Sequence, residues 1–385
     1  MQKFLQKTRW PEYLTLVVVS ILIFAPVLYL EIYVAQSDFQ PHLAWAMDLI
    51  QHPQNVPPSV ISHGLWHWLT LFARQIFNSS WNFAALLVTI LGMAATSGIL
   101  YYFLRKTLDA LPAGLIAIGL QIVTPALLMD YDNILLALLN GYIAPNVYHN
   151  PTILLLKPLA VLQFFFSIEA LLGHKASWKV ILLSALVSMA ALYAKPNLII
   201  CLLPAAAIFA LARLIKKQPI NWSWLIFGLV LPSLALLIWQ FVLTFGPASE
   251  SHVVFAPLQI MRSLSDTSLI VKLLLSMLFP LVITLLDLKD ALKDPRMQLG
   301  WLSFLFGAVF TYFFAEVGPQ SGAANFLWSG QITLFLLYVC SALFLCDHRE
   351  ILNENKIKRW LTLAVIFLQL YFGVGFYFYV LLKSS

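Results

Sequence analysis

The sequence predicts an all-α polytopic membrane protein, and three observations support that prediction. Hydrophobic residues make up 61% of the 385 residues and charged residues only 10%, whereas soluble domains are about 45–50% apolar and about 25% charged. Mean hydropathy is +0.85. Apolar runs of about 20 residues, the length that crosses a hydrocarbon core, recur along almost the whole chain. We therefore expect one transmembrane domain over residues 1–385.

About eleven apolar runs are long enough to be candidate transmembrane helices. The distribution of Lys and Arg supports this count, because cytoplasmic loops collect positive charge. With the N-terminus in the cytoplasm and the C-terminus extracytoplasmic, most of the 23 Lys and Arg residues fall in predicted inner loops. The net charge of +6 therefore reflects topology and does not indicate a nucleic-acid partner. We expect a multi-pass protein of the cell membrane. The runs are 13–34, 81–104, 111–129, 151–173, 179–194, 198–215, 222–245, 268–287, 298–315, 326–346 and 360–382.

Residues 35–80 form the predicted first extracytoplasmic loop, with two interfacial helices. Ser37 or Asp38 is placed to cap the first helix, which is followed by a proline-rich break at 52–58. The second helix has an apolar face and a polar face at helical spacing. The two helices therefore flank Asp38. The apolar face holds Leu65, Leu69, Phe72 and Ile76, and the polar face holds His63, His67, Thr70 and Arg74.

Position alone leaves two interpretations of Asp38. A carboxylate near a low-dielectric boundary has a raised pKa and can act as a general base, or Asp38 only caps its helix. His63 and His67 have the i, i+4 spacing of a metal pair, but the residues between them lack the Glu of HExxH. We therefore assign no metal, and we place His42, His63 and His67 in a substrate pocket.

The second predicted outer loop adds further candidates for substrate binding. Asp130 and Asp132 form an Asp-x-Asp pair, which holds a divalent ion in nucleotide-sugar enzymes, so a divalent cation stays open as a cofactor. His149 and Asn150 precede Pro151, which starts the next predicted helix. An Asn cap and a free helix N-terminus offer N–H groups to an anion. We assign Asp132, His149 and Asn150 to substrate binding.

Three cations fall near the outer ends of predicted spans: Lys157, Lys195 and Arg262. Together they suit a phosphate or pyrophosphate head group, although each one alone is equally typical of an interfacial anchor. The last outer loop contains Glu316, directly at a predicted helix end, and Asn325. Both side chains are suited to hydrogen bonds with a sugar.

These features together resemble the GT-C superfamily of integral-membrane glycosyltransferases, which take sugars from polyprenyl-phosphate donors. The matching features are Ser37-Asp38-Phe39 soon after the first span, a long first outer loop with two interfacial helices, and a multi-span body. The segments 148–152, 194–197 and 316–318 also resemble pieces of a bacterial branch. The resemblance implies that Asp38 is the catalytic carboxylate. The chain departs from many members in that Asp38 has no acidic neighbour.

We therefore predict a glycosyltransferase that moves a sugar from a polyprenyl-phosphate-linked donor to an acceptor on the extracytoplasmic face. Asp38 would deprotonate the acceptor hydroxyl, with inversion at the anomeric carbon, while Lys195 and Arg262 hold the phosphate. A transporter or lipid flippase is the first alternative, and it needs ionisable residues deep within the spans. A non-catalytic membrane protein of envelope assembly is the second. The sugar and the acceptor, whether glycan, lipid or protein, stay open.

Overall fold

The structure is a computed structural model that describes residues 10–129, 141–246, 249–318, 324–350, 352 and 355–383. A five-residue π-helical stretch, Ile226–Val230, lies within the helix Trp222–Phe245, and a 3-10 turn, Pro53–Asn55, precedes the helix Pro58–Ser62. The helices are α1 (Trp10–Tyr33), α2 (Phe39–Gln51), α3 (Pro58–Ser62), α4 (Leu65–Phe77), α5 (Trp81–Leu104), α6 (Ala110–Gly119), α7 (Pro151–Leu171), α8 (Trp178–Ala194), α9 (Asn197–Ile215), α10 (Trp222–Phe245), α11 (Gln259–Leu264), α12 (Leu269–Ser276), α13 (Leu278–Leu286), α14 (Leu288–Ala291), α15 (Pro295–Phe313), α16 (Leu327–Asp347) and α17 (Lys356–Lys383).

The predicted fold class agrees with these helices, because seven of those in the described residues are long and apolar enough to cross a membrane. The bent pair of α12 and α13, which meet at 64°, brings the number to eight if the pair forms one span. The seven are α1, α5, α7, α9, α10, α16 and α17. The chain is thus a multi-pass membrane protein, and the predicted count of eleven spans is not confirmed.

Two of the predicted spans are absent because their helices stop early, whereas α15, with 19 residues, is long enough but not apolar enough. Helix α6 has only 10 residues and covers only 111–119 of the predicted run 111–129. Pro125 lies within that run, and proline disfavours helical backbone at the residue before it. Helix α8 has 17 residues, fewer than the roughly 20 that span a bilayer. The apolar runs therefore predict where these segments lie along the chain, but not how long their helices are.

The helices divide into a central group and an outer group. Within α16 and α7, 89% and 78% of the most apolar window is buried, whereas the values for α1 and α10 are both 28%. The exposed side chains of α10 include Ile238, Phe241 and Val242. An apolar surface of this kind suits contact with lipid chains. The loops that carry the candidate site residues therefore lie at the ends of a buried helical core.

In the first loop, α4 places its polar face toward the protein and its apolar face outward. His67 and Thr70 are fully buried, whereas Phe72 and Ile76 are about 60% exposed. This arrangement is the reverse of an amphipathic helix on a soluble domain, and it is the one expected beside lipid. The placement of α2 and α4 at the membrane surface stays a prediction.

One small antiparallel sheet joins two distant segments. Strand β1 (His252–Phe255) pairs with β2 (Phe314–Val317), with Val253 opposite Glu316. The sequence analysis placed Glu316 at a helix end, which is wrong: α15 ends at Phe313 and the chain continues directly as β2. Backbone pairing with β1 therefore fixes the position of Glu316.

Candidate functional site

Asp38 occupies the N-cap position of α2, but its carboxylate makes no capping hydrogen bond. The oxygen atom Oδ2 accepts a hydrogen bond from Nδ2 of Asn150 at 2.7 Å. The backbone N–H of Phe39 donates instead to the hydroxyl of Ser37 at 3.3 Å. The interpretation of Asp38 as a helix cap therefore does not describe its side chain, which points to the segment before α7.

Asn150 uses both ends of its amide. Its Oδ1 accepts from the backbone N–H of Ile153 at 3.1 Å, which caps α7, and from the hydroxyl of Thr152 at 2.9 Å. These two donors fix Oδ1 on the helix side and leave Nδ2 for Asp38. Asn150 is only 3% exposed, so the helix cap and the contact to the carboxylate depend on the same buried side chain.

Lys195 lies at the C-terminal end of α8, in the break before α9. The residue before a proline disfavours helical backbone, and Lys195, which precedes Pro196, is extended at φ −170° and ψ 129°. Its Nζ donates to the hydroxyl of Thr152 at 3.2 Å and lies 5.2 Å from the ring centroid of Trp328. A hydrogen-bonded row thus runs from Lys195 through Thr152 and Asn150 to Asp38.

The ammonium of Lys195 is buried, and the charges of two carboxylates act on it. Burial lowers the pKa of Lys195 to about 8, and the negative charges of Asp38 and Glu316 oppose that effect. Lysine has an ordinary pKa of about 10.4, so Lys195 loses its proton in an unusually low pH range. A bound phosphate would add negative charge beside Lys195 and so favour its protonated form.

Glu316 and Asn325 form a second polar pair close to Lys195. Nδ2 of Asn325 donates to Oε2 of Glu316 at 2.7 Å. Nδ2 of Asn197, at the start of α9, donates to the carbonyl of Asn325 and to the hydroxyl of Ser329, both at 2.8 Å. Burial raises the pKa of Glu316, while the bond from Asn325 and the charge of Lys195 lower it.

His149 packs against Trp328, whose ring also contacts the ammonium of Lys195. Its ring centroid is 5.8 Å from that of Trp328, and Trp328 is 7% exposed, which is not the exposure of a residue in a membrane belt. Burial lowers the pKa of His149, and the charge of Asp38 raises it. The structure therefore groups His149 with Asp38, Asn150 and Lys195.

A cavity of about 270 Å³ lies beside this group, and Lys195 lines it. One part of its lining is polar and contains Ser62, His63, Lys195, Gln240, Glu316 and Asn325. The other part is apolar and contains Leu237, Phe241, Phe245, Phe310 and Phe326. Among the residues that the structure describes, Asp38, His149 and Arg262 are not in this lining. The cavity suits a molecule with a polar head and an apolar chain.

Two of the remaining predicted histidines, His42 and His67, form a partly buried pair. Nδ1 of His42 and Nε2 of His67 are 2.9 Å apart. Burial lowers the pKa of His67 to about 3 and the pKa of His42 well below its ordinary value. Burial also lowers the pKa of His63 to about 3, and its Nδ1 lies 2.9 Å from the hydroxyl of Ser62. All three rings are therefore neutral near pH 7 and act as hydrogen-bonding groups.

The predicted cluster of three cations does not form. Arg262 is solvent-exposed on the short helix α11, and its guanidinium donates to the carbonyl of Thr267 at 3.5 Å. Lys157 is buried inside α7, where Nζ donates to Oδ1 of Asn146 at 2.5 Å and lies 4.9 Å from the ring of Phe335. Neither partner of Lys157 lines the cavity. All three cations were predicted near outer ends of spans, but that shared position does not determine which helices pack together.

Asp130 and Asp132 lie outside the described residues, so the structure does not place the predicted Asp-x-Asp pair. Within the described residues, no group of three or more His, Cys, Asp or Glu side chains could hold a metal ion. The partly buried histidine pair consequently has no third ligand of these types there.

Two residues of the site were given no role by the sequence analysis. Thr152 links Asn150 to Lys195, and its only signal was a place in a segment of family resemblance. Gln240 lines the cavity from within α10. Its signal was a lone amide in an apolar run, which is costly in a membrane unless it is satisfied.

Comparisons with known proteins add no family assignment. The sequence matches no protein-family model, and no curated protein matches it significantly. The function therefore has to be argued from the geometry of the site.

Proposed function

We propose that this protein is a membrane glycosyltransferase that transfers a sugar from a polyprenyl-phosphate-linked donor to an acceptor on the extracytoplasmic side of the cell membrane. The observation that carries the proposal is the hydrogen-bonded row from Asp38 to Lys195, which ends at an amphipathic cavity. It joins a proton acceptor, an anion-binding group and a place for a lipid-linked head group in one region.

Lys195 would hold the phosphate of the donor. Among the described residues that line the cavity, Lys195 supplies the positive charge. A buried ammonium interacts more strongly with a phosphate than an exposed one does. The aromatic and aliphatic wall of Phe241, Phe245 and Phe310 would contact the isoprenoid chain. A lipid phosphate fits both halves of this lining, whereas a free nucleotide sugar would leave the apolar half unused.

Asp38 would act as the general base. Its Oδ2 accepts a hydrogen bond from Asn150, and Oδ1 would accept the proton of the acceptor hydroxyl. Transfer of the hydroxyl proton to Asp38 accompanies attack of that oxygen on the anomeric carbon. The bond from this carbon to the phosphate oxygen breaks, and its electron pair leaves with the polyprenyl phosphate, whose charge Lys195 offsets. The proposal requires the head group to reach past Lys195 to Asp38.

Inversion at the anomeric carbon follows if Asp38 acts without a second carboxylate as nucleophile. Glu316 is the other carboxylate that acts on Lys195, and we assign it, with Asn325, to binding the sugar. The anomeric configuration of the product distinguishes the two roles. Retention would place a nucleophile at Glu316.

The decisive test is release of polyprenyl phosphate from a radiolabelled lipid-linked sugar by the purified protein in proteoliposomes. Removal of a general base costs about 10²- to 10⁴-fold in rate. We expect Asp38→Asn to lose transfer by this factor while still binding the lipid phosphate. Asp48→Asn, on the same helix, is the matched control. Full transfer by Asp38→Asn would end the assignment of Asp38 as base.

A lipid flippase is the second candidate, and buried charge favours it. Lys157 in α7 and Lys272 in the bent pair of α12 and α13 are at most 1% exposed, and ionisable residues buried in membrane spans are typical of transport pathways. Movement of a fluorescent lipid-linked sugar across a vesicle membrane, with the sugar still attached, would identify this activity. The transferase separates sugar from lipid, and the flippase leaves them joined.

A further inference from the structure

Gln240 is a buried amide in the C-terminal half of α10, where most side chains face outward. Its neighbours on α10 include Trp239 and Phe241, which are 44% and 59% exposed, whereas Gln240 is 5% exposed. It lies on the cavity with Leu237 and Thr244, at i−3 and i+4, so one stripe of α10 forms this part of the wall. The amide is the polar centre of that stripe.

Both hydrogens of the Gln240 amide are already used. Nε2 donates to the backbone carbonyl of Ser62 at 2.6 Å and to that of Leu192 at 3.0 Å. Because both partners are acceptors, they determine which end of the amide is nitrogen. The oxygen Oε1 is buried and has no hydrogen-bond partner in the part of the chain that the structure describes.

A buried acceptor without a donor is unfavourable, since it has lost its bond to water without replacement. Here the amide is held rigidly by the two carbonyls, so Oε1 cannot turn to another partner. The residue lines the cavity, so a ligand hydroxyl would satisfy Oε1 once the side chains that cover this oxygen move aside. The groups on the same lining, Glu316 and Asn325, are likewise suited to hydroxyl groups, and none of the three binds the phosphate.

We infer that Gln240 determines specificity in the cavity by accepting a hydrogen bond from a hydroxyl group of a sugar carried on a lipid phosphate. This inference rests on the proposed function and deepens it, because it assigns recognition of the sugar to α10 and recognition of the phosphate to Lys195. A lipid phosphate without a sugar has no donor for Oε1. Discrimination then appears as a difference between two ligands, not as a general loss of binding.

The first experiment measures the binding of two kinds of probe to the full chain, purified in a detergent whose head group is not a sugar. One probe is methyl farnesyl phosphate, a phosphodiester with the same single negative charge as the sugar-bearing probes, and the others are the glucosyl, galactosyl, mannosyl and N-acetylglucosaminyl phosphodiesters of farnesol. One net hydrogen bond corresponds to about a tenfold difference in Kd. We expect wild type to bind one of the glycosylated probes at least about tenfold more tightly than methyl farnesyl phosphate, and Gln240→Met to lose about tenfold of this preference.

Gln369→Met is the matched control, since Gln369 is a buried glutamine on α17 that does not line the cavity. We expect it to keep the wild-type preference. Lys195→Met should weaken binding of both kinds of probe. Equal weakening of both probes by Gln240→Met would show a purely structural role for the amide, and it would overturn the inference, as would wild type without a preference.

A second measurement stays informative if Gln240→Met does not fold. Wild type is tested with deoxy derivatives of the preferred sugar, each lacking one hydroxyl. We expect one derivative to bind about tenfold more weakly, and where the variant folds, it should be insensitive to that same hydroxyl. Equal binding of all derivatives would contradict the inference. Sugar preference without any transfer would reject the proposed function alone, and transfer with an unchanged preference in Gln240→Met would reject this inference alone.

Discussion

Asn150 donates a hydrogen bond to Asp38 at 2.7 Å, across 112 positions of sequence. The same side chain caps α7 through Oδ1. A helix cap therefore orients the carboxylate that we propose as the general base, and the two roles can be separated by substitution.

Asn150→Ser should keep much of the helix cap, because serine is a good N-cap residue, while it loses the bond to Asp38. We expect transfer to fall at least about tenfold, which corresponds to about 1.4 kcal/mol, with the apparent Tm nearly unchanged. Asn150→Ala should lose both roles and about 1 kcal/mol of stability. Thermal unfolding in detergent, measured beside the transfer rate, checks both variants. Equal transfer by wild type and Asn150→Ser would show that the bond does not position Asp38.

The affinity for a lipid phosphate should decline at alkaline pH. Burial lowers the pKa of Lys195 to about 8, so the ammonium of the free protein is lost as pH rises through that value. We expect the Kd for farnesyl phosphate to be constant below pH 7.5 and to increase up to tenfold per pH unit above about 8. Titrations from pH 6.5 to 10 measure this effect. Lys195→Met should bind weakly throughout, and an inflection in that variant would assign the titration to another group.

Glu316→Gln should move this inflection to lower pH. The negative charge of Glu316 favours the protonated form of Lys195, and removal of a nearby opposite charge shifts a pKa by about one unit or more. The glutamine can still accept the hydrogen bond from Asn325, so the geometry of the pair is retained. The same pH titration checks the result. A shift to higher pH would have the wrong sign and would contradict the charge arrangement.

The protein should become less stable as pH falls below 6.5. The folded-state pKa of His67 and His63 is about 3, below the ordinary value of about 6.5, so the unfolded chain binds more protons between these limits. Stability is therefore full above about pH 6.5 and declines by about 1.4 kcal/mol per pH unit for each ring. His67→Gln should flatten the dependence of Tm on pH between 7.5 and 5. His252→Gln, at an exposed position, should leave it unchanged.

Gly307→Ala should destabilise the contact between α15 and α16. A methyl group at Gly307 would lie 2.7 Å from the carbonyl oxygen of Ser329 and would also overlap the hydroxyl of Thr333. Overpacking of this kind costs about 1–3 kcal/mol. Gly98→Ala is the control, because its methyl group would meet nothing within 4 Å. A lower Tm for Gly307→Ala alone is the expected result, and equal values would show that the two helices separate readily.

The sequence located most helices because long apolar runs dominate the pattern. The run 81–104 is reproduced residue for residue as α5, and 151–173 differs from α7 by two residues. The pattern did not show where helices bend or stop. The run 268–287 is divided into α12 and α13 at 64°, and the backbone at Met277 between them has no strong sequence marker.

The composition of the site was predictable only in part. Asp38, Asn150 and Lys195 were identified separately, because polar residues beside apolar runs are conspicuous. Their connection depends on Thr152, which no pattern singles out. Arg262 was wrongly grouped with Lys195, since both were assigned to the outer end of a span, and linear position does not determine which helices are neighbours in the bundle.

The break between α8 and α9 gives Lys195 a mechanical property. Only Lys195 and Pro196 separate the two helices. The ammonium is therefore attached at the break between the helices and not within either helix. A small change in the angle between α8 and α9 would swing this positive charge relative to Thr152 and Trp328. We therefore expect binding and release of a lipid phosphate to depend on the angle between these two helices, without rearrangement of the buried helical core.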